Sequence, residues 1–254
     1  VALPAAALHG RAAYTVEMWF QTTKAGGQSL IGAIQSGNTA ALQFWLVSGT
    51  LYVELAAGSP AVALPNVYDG RWHHLAVTYS DAADRVVVIY DGAQVASFAY
   101  TGAPPNVADG AFFLGQEQDS PGGGFDAGQA FQGRLAEVRI WSVARTADEI
   151  AGLMPRRATG VEAGLVACWH LDDLTDAVAD ATGNGFTATL GDWQGGDFPQ
   201  WAAAADLVLD RRTVVVTYED VAGMDAASVE DLANYTLIRD RKSTRLNSSH
   251  RIRS

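Results

Sequence analysis

Between Leu114 and Gln129 the chain reads Leu-Gly-Gln-Glu-Gln-Asp-Ser-Pro-Gly-Gly-Gly-Phe-Asp-Ala-Gly-Gln. Glu117, Gln118, Asp119, Asp126 and Gln129 offer oxygen atoms on both sides of three consecutive glycines. A ligand set made only of oxygen suits a hard cation such as calcium, which takes about six to eight carboxylate, amide and carbonyl oxygens. The glycines let the chain double back so that the two sides can converge. The competing reading is a hydrated acidic turn whose side chains only cap backbone groups.

Other reactive residue types carry less. His73-His74 has no cysteine, histidine or carboxylate at the usual spacing of a transition-metal site, so one inward and one outward ring on a strand is expected. Asp172, Asp173, Asp176 and Asp180 lack the order of an EF-hand loop and read as a solvated connection. Cys168 is the single cysteine, which excludes an intrachain disulfide. Its place in Leu165-Val166-Ala167-Cys168-Trp169 makes it a small buried side chain. Glu17 and Glu137 each stand alone in a strand and are taken as structural. No nucleophile elbow, P-loop or dinucleotide fingerprint occurs.

The elements that must hold the loop are strands. In Tyr14–Thr22, Val16, Met18 and Phe20 alternate with Glu17, Trp19 and Gln21. Short runs follow at Leu30–Ile34, Ala41–Val47 and Leu51–Leu55, the last two parted by Ser48-Gly49-Thr50. Trp72–Tyr79 and the nearly continuous apolar run Arg85–Tyr90 come next, the latter expected to be buried on both sides. Asp91-Gly92 is a two-residue hairpin signal returning through Val95–Tyr100. Phe112–Leu114 enters the acidic loop and Gly133–Trp141 leaves it. Thr146 and Glu149 have the spacing of a capping box for a short helix through Ile150 and Met154. Gly164–Leu171 and Phe186–Leu190 resume the β pattern. Many short strands with turns at steady spacing indicate an all-β, two-sheet antiparallel sandwich of jelly-roll type.

Composition sets the outer limits. With 254 residues, 48% of them hydrophobic, the chain can bury a substantial core. A net charge of −11 argues against nucleic acid as a partner, since phosphate contacts need basic surface. No apolar run is long enough to insert in a bilayer as a helix. The start at Val1, without methionine or a charged leader, reads as a cut into a longer protein. Seven tryptophans offer stacking surfaces for sugar rings, but spacing does not select among them.

The sequence Gly115–Ser120, the glycine turn, Phe125-Asp126 and Gln129 together resemble the calcium loop of the pentraxins, within the laminin-G-like, concanavalin A-like jelly rolls. Trp72–Tyr79, Gly133–Trp141, Arg145-Thr146 and the turn Asp180–Gly185 fit the same pattern, and the resemblance spans residues 1–203. It implies that Glu117, Asp119, Asp126 and Gln129 bind calcium through side chains and Gln118 through its carbonyl, with Asn38 on an earlier loop. It also implies that two ions could share the carboxylates. The family's inter-strand disulfide falls at Glu17 and Ala76, both halves absent together, which points to bacterial members. Glucanases of this fold carry a Glu-x-Asp-x-x-Glu strand, and none occurs here.

Residues 204–239 resemble the start of a truncated bacterial immunoglobulin-like repeat. Residues 240–254 resemble the translation of a sequencing adapter, so no native basic tail is expected. The resemblance therefore implies a non-enzymatic, calcium-dependent recognition or adhesion module on an extracellular or cell-surface protein. Its partners would be a glycan or other small polar ligand, a cell-surface component, and further domains of its own parent chain. A spacer domain without a ligand is the alternative.

Overall fold

A computed structural model describes residues 1–35, 37–108, 110–171 and 177–190. The expected immunoglobulin-like start at 204–239, the tail at 240–254, and Asp172, Asp173 and Asp176 lie outside the described residues.

Two antiparallel sheets form the sandwich. One runs in the order β13 (Ala177–Val178), β14 (Ala188–Thr189), β1 (Ala2–Leu3), β10 (Ala111–Leu114), β3 (Gln28–Gln35), β4 (Thr39–Val47), β5 (Thr50–Leu55), β6 (Ala61–Ala63). The other runs β12 (Leu165–Trp169), β11 (Gly133–Trp141), β2 (Ala13–Thr22), β7 (Trp72–Ser80), β8 (Arg85–Tyr90), β9 (Ala93–Ala99). A single α-helix among the described residues, α1 (Ala147–Leu153), lies after β11.

Strand alternation builds the core as the sequence predicts. Val16, Met18 and Phe20 of β2 and Leu75, Val77 and Tyr79 of β7 face Leu42, Phe44 and Leu46 of β4 and Leu51, Val53 and Leu55 of β5 in one buried cluster. Each such side chain contributes about 1.5–3 kcal/mol on burial. The hairpins close as their turn residues require. Ser48 and Gly49 have φ of 50° and 79°, and Asp91 and Gly92 have 49° and 81°. Positive φ at both central positions matches the right-handed twist of the flanking strands. Thr50 already belongs to β5, so the first turn is one residue shorter than the sequence reading gives it.

The six-stranded sheet is covered on its outer face as well. Ile150 of α1 packs on Ala76 and Ile89, with Val87 partly buried beside them, which explains the apolar run of β8. Trp141, Leu165 and Cys168 pack with Ala158. The capping box is present: Thr146 Oγ1 accepts from the Glu149 amide, and a Glu149 carboxylate oxygen accepts from the Thr146 amide at 2.8 Å. His73 and His74 take opposite sides, His73 against Phe20 and Tyr90, His74 against Trp19.

Glu17 and Glu137, each the one acid of its strand, have a structural place: both converge on Arg139, at 3.2 Å from Nη1 and 2.7 Å from Nη2 respectively. A bulge after Ala136 breaks the alternation of β11 and turns Glu137 to the covered face. Asp180 is not part of a solvated connection. It is half-buried and organises its turn, accepting from the amides of Cys168, Thr182 and Phe186 at 3.0–3.2 Å.

Candidate functional site

The acidic loop is pinned at its base before any of its carboxylates comes into play. The Gly115 amide donates to Leu30 O at 2.8 Å and the Phe131 amide to Gly115 O at 2.9 Å, closing the loop where β10 leaves the sheet. Gln118 is buried, and its side-chain amide donates to Gly32 O and Ala111 O at 3.2 and 3.1 Å while its oxygen accepts from the Gly122 amide. Its side chain is thus spent on the scaffold, leaving the backbone carbonyl for other partners. Gln116, which the sequence reading did not single out, donates to Asp126 O at 3.0 Å and ties the two sides together.

Within this frame the glycines decide the path. Ser120 and Gly123 pair across the turn. Gly124 has φ of 71°, and a Cβ there would lie 2.6 Å from Asp119 Cβ. A side chain at this position would be strained in backbone and would push Asp119 away. Phe125 packs edge-on against Phe113 at 5.1 Å, and Lys24 Nζ donates to Gly128 O and Ala130 O at 2.7 and 2.9 Å.

The electrostatics are those of crowded acids. Burial pushes the Glu117 carboxyl up to about 7, and the charges of Asp119, Glu54 and Asp126 add to the effect. One Glu117 oxygen, Oε2, is buried without a hydrogen-bond partner, and so is Gln129 Oε1. A buried acceptor left unmade costs about 1–3 kcal/mol. Two such oxygens, both in the expected ligand set, together with carboxylates that repel one another, fit a cation. Asp126 Oδ1 already accepts from the Gly128 amide at 2.7 Å, which leaves its second oxygen for other partners.

Glu54 is the acid that the sequence reading missed. It lies on β5 opposite Gln43 of β4, and Gln43 lies opposite Gly32 of β3, whose carbonyl anchors Gln118. Nothing within 50 residues of the loop in sequence signals it. Trp45 and Tyr52 form the next register pair on this outer face, both half-buried. Asn38 is exposed with φ of 60° in the turn between β3 and β4. Among the described residues no hydrogen bond joins it to the loop.

The model of the "Concanavalin A-like lectin/glucanases superfamily" matches residues 1–151. Rat neuronal pentraxin-1 is 33% identical over 161 residues, 61% of this chain and 36% of that protein. The human neuronal pentraxin receptor is 30% identical over 182 residues, 70% of this chain and 36% of that one. The chain therefore spans about a third of the length of these relatives. Among solved structures, a candidate carbohydrate-binding protein from Bacteroides ovatus superposes with a TM-score of 0.58 at 20% identity, over 71% of this chain and 52% of that one. The extracellular region of zebrafish Gpr126/Adgrg6 gives 0.55 at 15% identity, over 75% and 25% of the two chains.

Proposed function

Since the chain belongs to the concanavalin A-like lectin/glucanases superfamily, we propose that it is a calcium-dependent recognition module for a glycan or similar polar ligand. The observation that carries this reading is the pair of buried, unpartnered oxygens, Glu117 Oε2 and Gln129 Oε1, in a loop crowded with carboxylates.

Glu117, Asp119, Asp126 and Gln129 would hold the ion through side chains, the Gln118 carbonyl would join them, and Glu54 adds negative charge from the sheet. Bound calcium supplies open coordination positions that a hydroxyl pair, phosphate or carboxylate of the ligand can fill. Trp45 and Tyr52 beside the loop offer flat apolar surface against which a sugar ring can lie. Glu117 must lose its proton for binding, so binding should weaken as pH falls below about 7. Asn38 remains a further candidate ligand on the neighbouring turn. The loop sits on a rigid sheet, which limits the ordering cost of capture.

Binding without catalysis is part of the proposal. Glu17 and Glu137 are buried on the covered face of the other sheet and held by Arg139, so neither faces a polysaccharide. A place outside the cell or on its surface, in a larger protein whose other domains add their own contacts, accords with the names of the relatives.

Calcium titration followed by thermal unfolding tests the reading. At a hundred times Kd, binding to the folded form adds about 2.7 kcal/mol, or roughly 5–10 °C for a domain of this size. Asp119→Ala should abolish that shift while far-UV circular dichroism stays unchanged. An unshifted melting temperature in the native chain would overturn the proposal. Calcium stabilisation with no calcium-dependent retention on a glycan array would favour a spacer domain.

A further inference from the structure

On the outer face of the six-stranded sheet, away from the loop, Glu137, Cys168 and His170 bring a carboxylate oxygen, a thiol sulfur and an imidazole nitrogen within 4.8 Å of one another. We propose that these three residues form a binding site for a zinc-type divalent ion, distinct in chemistry from the oxygen-lined loop.

The placement is a product of strand register. Arg139 of β11 pairs with Cys168 of β12, so both point to the same covered face. His170 follows two residues after Cys168 at the end of β12, and its Nδ1 lies 3.8 Å from the Cys168 sulfur and 2.5 Å from Glu137 Oε1. Glu137 reaches them only because its backbone is left-handed, with φ of 50°. A non-glycine residue in that conformation is strained and persists where its surroundings demand it.

Thiolate, imidazole and one carboxylate oxygen are zinc ligands, whereas sulfur is a poor ligand for calcium. The Sγ to Nδ1 distance is already that of two neighbouring ligands about a four-coordinate ion. The Nδ1 to Oε1 distance must widen by about 1 Å as the ring proton moves from Nδ1 to Nε2 and frees Nδ1 for the ion. Glu137 Oε2 is occupied by Arg139 Nη2 at 2.7 Å and the Ala158 amide at 3.1 Å. That fixes the carboxylate and leaves Oε1 toward the sulfur and the ring, the outer-shell orientation that metal ligands need. Cys168 is fully buried, but the His170 side chain is 15% exposed, so the cluster borders solvent, from which a water would come as fourth ligand.

Charge favours the same conclusion. Glu17 and Glu137, two buried carboxylates, face one guanidinium, Arg139, with His74 at 3.4 Å from Glu17 and His170 beside Glu137. The two carboxylates thus share one permanent cation, Arg139. Metal binding would release the thiol proton to solvent and form one metal–sulfur bond. The ion's two positive charges and that of Arg139 would then balance the two carboxylates and the thiolate.

Cobalt(II) is the probe, added to the full chain after chelator treatment under reductant. Cys168 is the chain's one cysteine, so a thiolate-to-cobalt charge-transfer band can report no other residue. One equivalent should give that band together with the strong visible bands of a four-coordinate ion, and zinc should displace it. Cys168→Ser should remove the charge-transfer band, and His170→Gln should lower affinity at least about tenfold. Asp119→Ala, in the calcium loop, should leave both spectra and affinity unchanged. Absence of the band from the native chain at millimolar cobalt overturns the proposal, and that result needs no variant to fold. Equal cobalt affinity in Cys168→Ser, checked for fold by circular dichroism, overturns it as well.

Discussion

Single residues do two kinds of work in this protein. Gly124 is present because its φ of 71° and its approach to Asp119 leave no room for a side chain. Gly124→Ala is therefore expected to lower stability by about 1–3 kcal/mol and to weaken calcium binding, both readable in one set of melts with and without the ion. His73 works through charge. Its two ring nitrogens face Asp91 at 2.8 Å and Asp69 at 3.1 Å, and stacking on Tyr90 holds the ring between them. The hydrogen bond to Asp91, opposed by burial and aided by Asp69, raises its pKa above the ordinary histidine value. The folded state thus holds the proton more tightly than the unfolded one. This contribution is complete below the unfolded value of about 6.5 and is lost as pH rises through the raised folded value. Urea denaturation from about pH 6 to pH 9 should show that decline, and Asp91→Asn should flatten it.

At the scale of elements, β2, β11 and the segment after α1 are joined through one buried guanidinium. Arg139 bonds Glu17, Glu137 and the carbonyls of Leu153 and Arg156, while Trp141 Nε1 donates to Glu17 Oε1 at 3.0 Å. Burial alone would raise both glutamates, but His74, Arg139 and Trp141 hold Glu17 low, and His170 and Arg139 hold Glu137 low. Removing one partner of a buried ion pair costs about 3–5 kcal/mol. Arg139→Met should lose that much by urea unfolding, and adding Glu17→Gln and Glu137→Gln should restore much of it.

The same network marks what the sequence could and could not disclose. Asp91-Gly92 and the Thr146–Glu149 box were legible because the interactions are local and their residue types are dictated by backbone geometry. The strands of the core were legible through alternation. The acidic loop itself stood out because its carboxylates and amides all fall between Glu117 and Gln129, within one short stretch of chain. Glu17 and Arg139 lie 122 residues apart, and the Glu137 bulge shifts the period that would have linked them. Glu54 joins the loop through two strand registers, β5 to β4 and β4 to β3, which no stretch of sequence near the loop displays.

For the molecule as a whole, both sheets share one core, so neither should unfold alone. Phe20 of the six-stranded sheet and Phe44 of the eight-stranded sheet are fully buried in the same cluster. Phe20→Ala and Phe44→Ala should each lower stability by about 3–5 kcal/mol. In both variants circular dichroism and tryptophan fluorescence should still report one coincident transition. Separate transitions would divide the sandwich into independent halves.

Glu17 and Ala76 stand directly opposite each other on β2 and β7, the pair of positions where the family resemblance puts a covalent cross-strand bond. In this chain a carboxylate held by His74, Arg139 and Trp141 occupies one of them. The two strands are fastened without sulfur chemistry, so the sandwich is indifferent to the redox poise in which it is made. It can be produced in a reducing bacterial cytosol without oxidase or isomerase, and millimolar thiol reductant should leave its melting curve where it was.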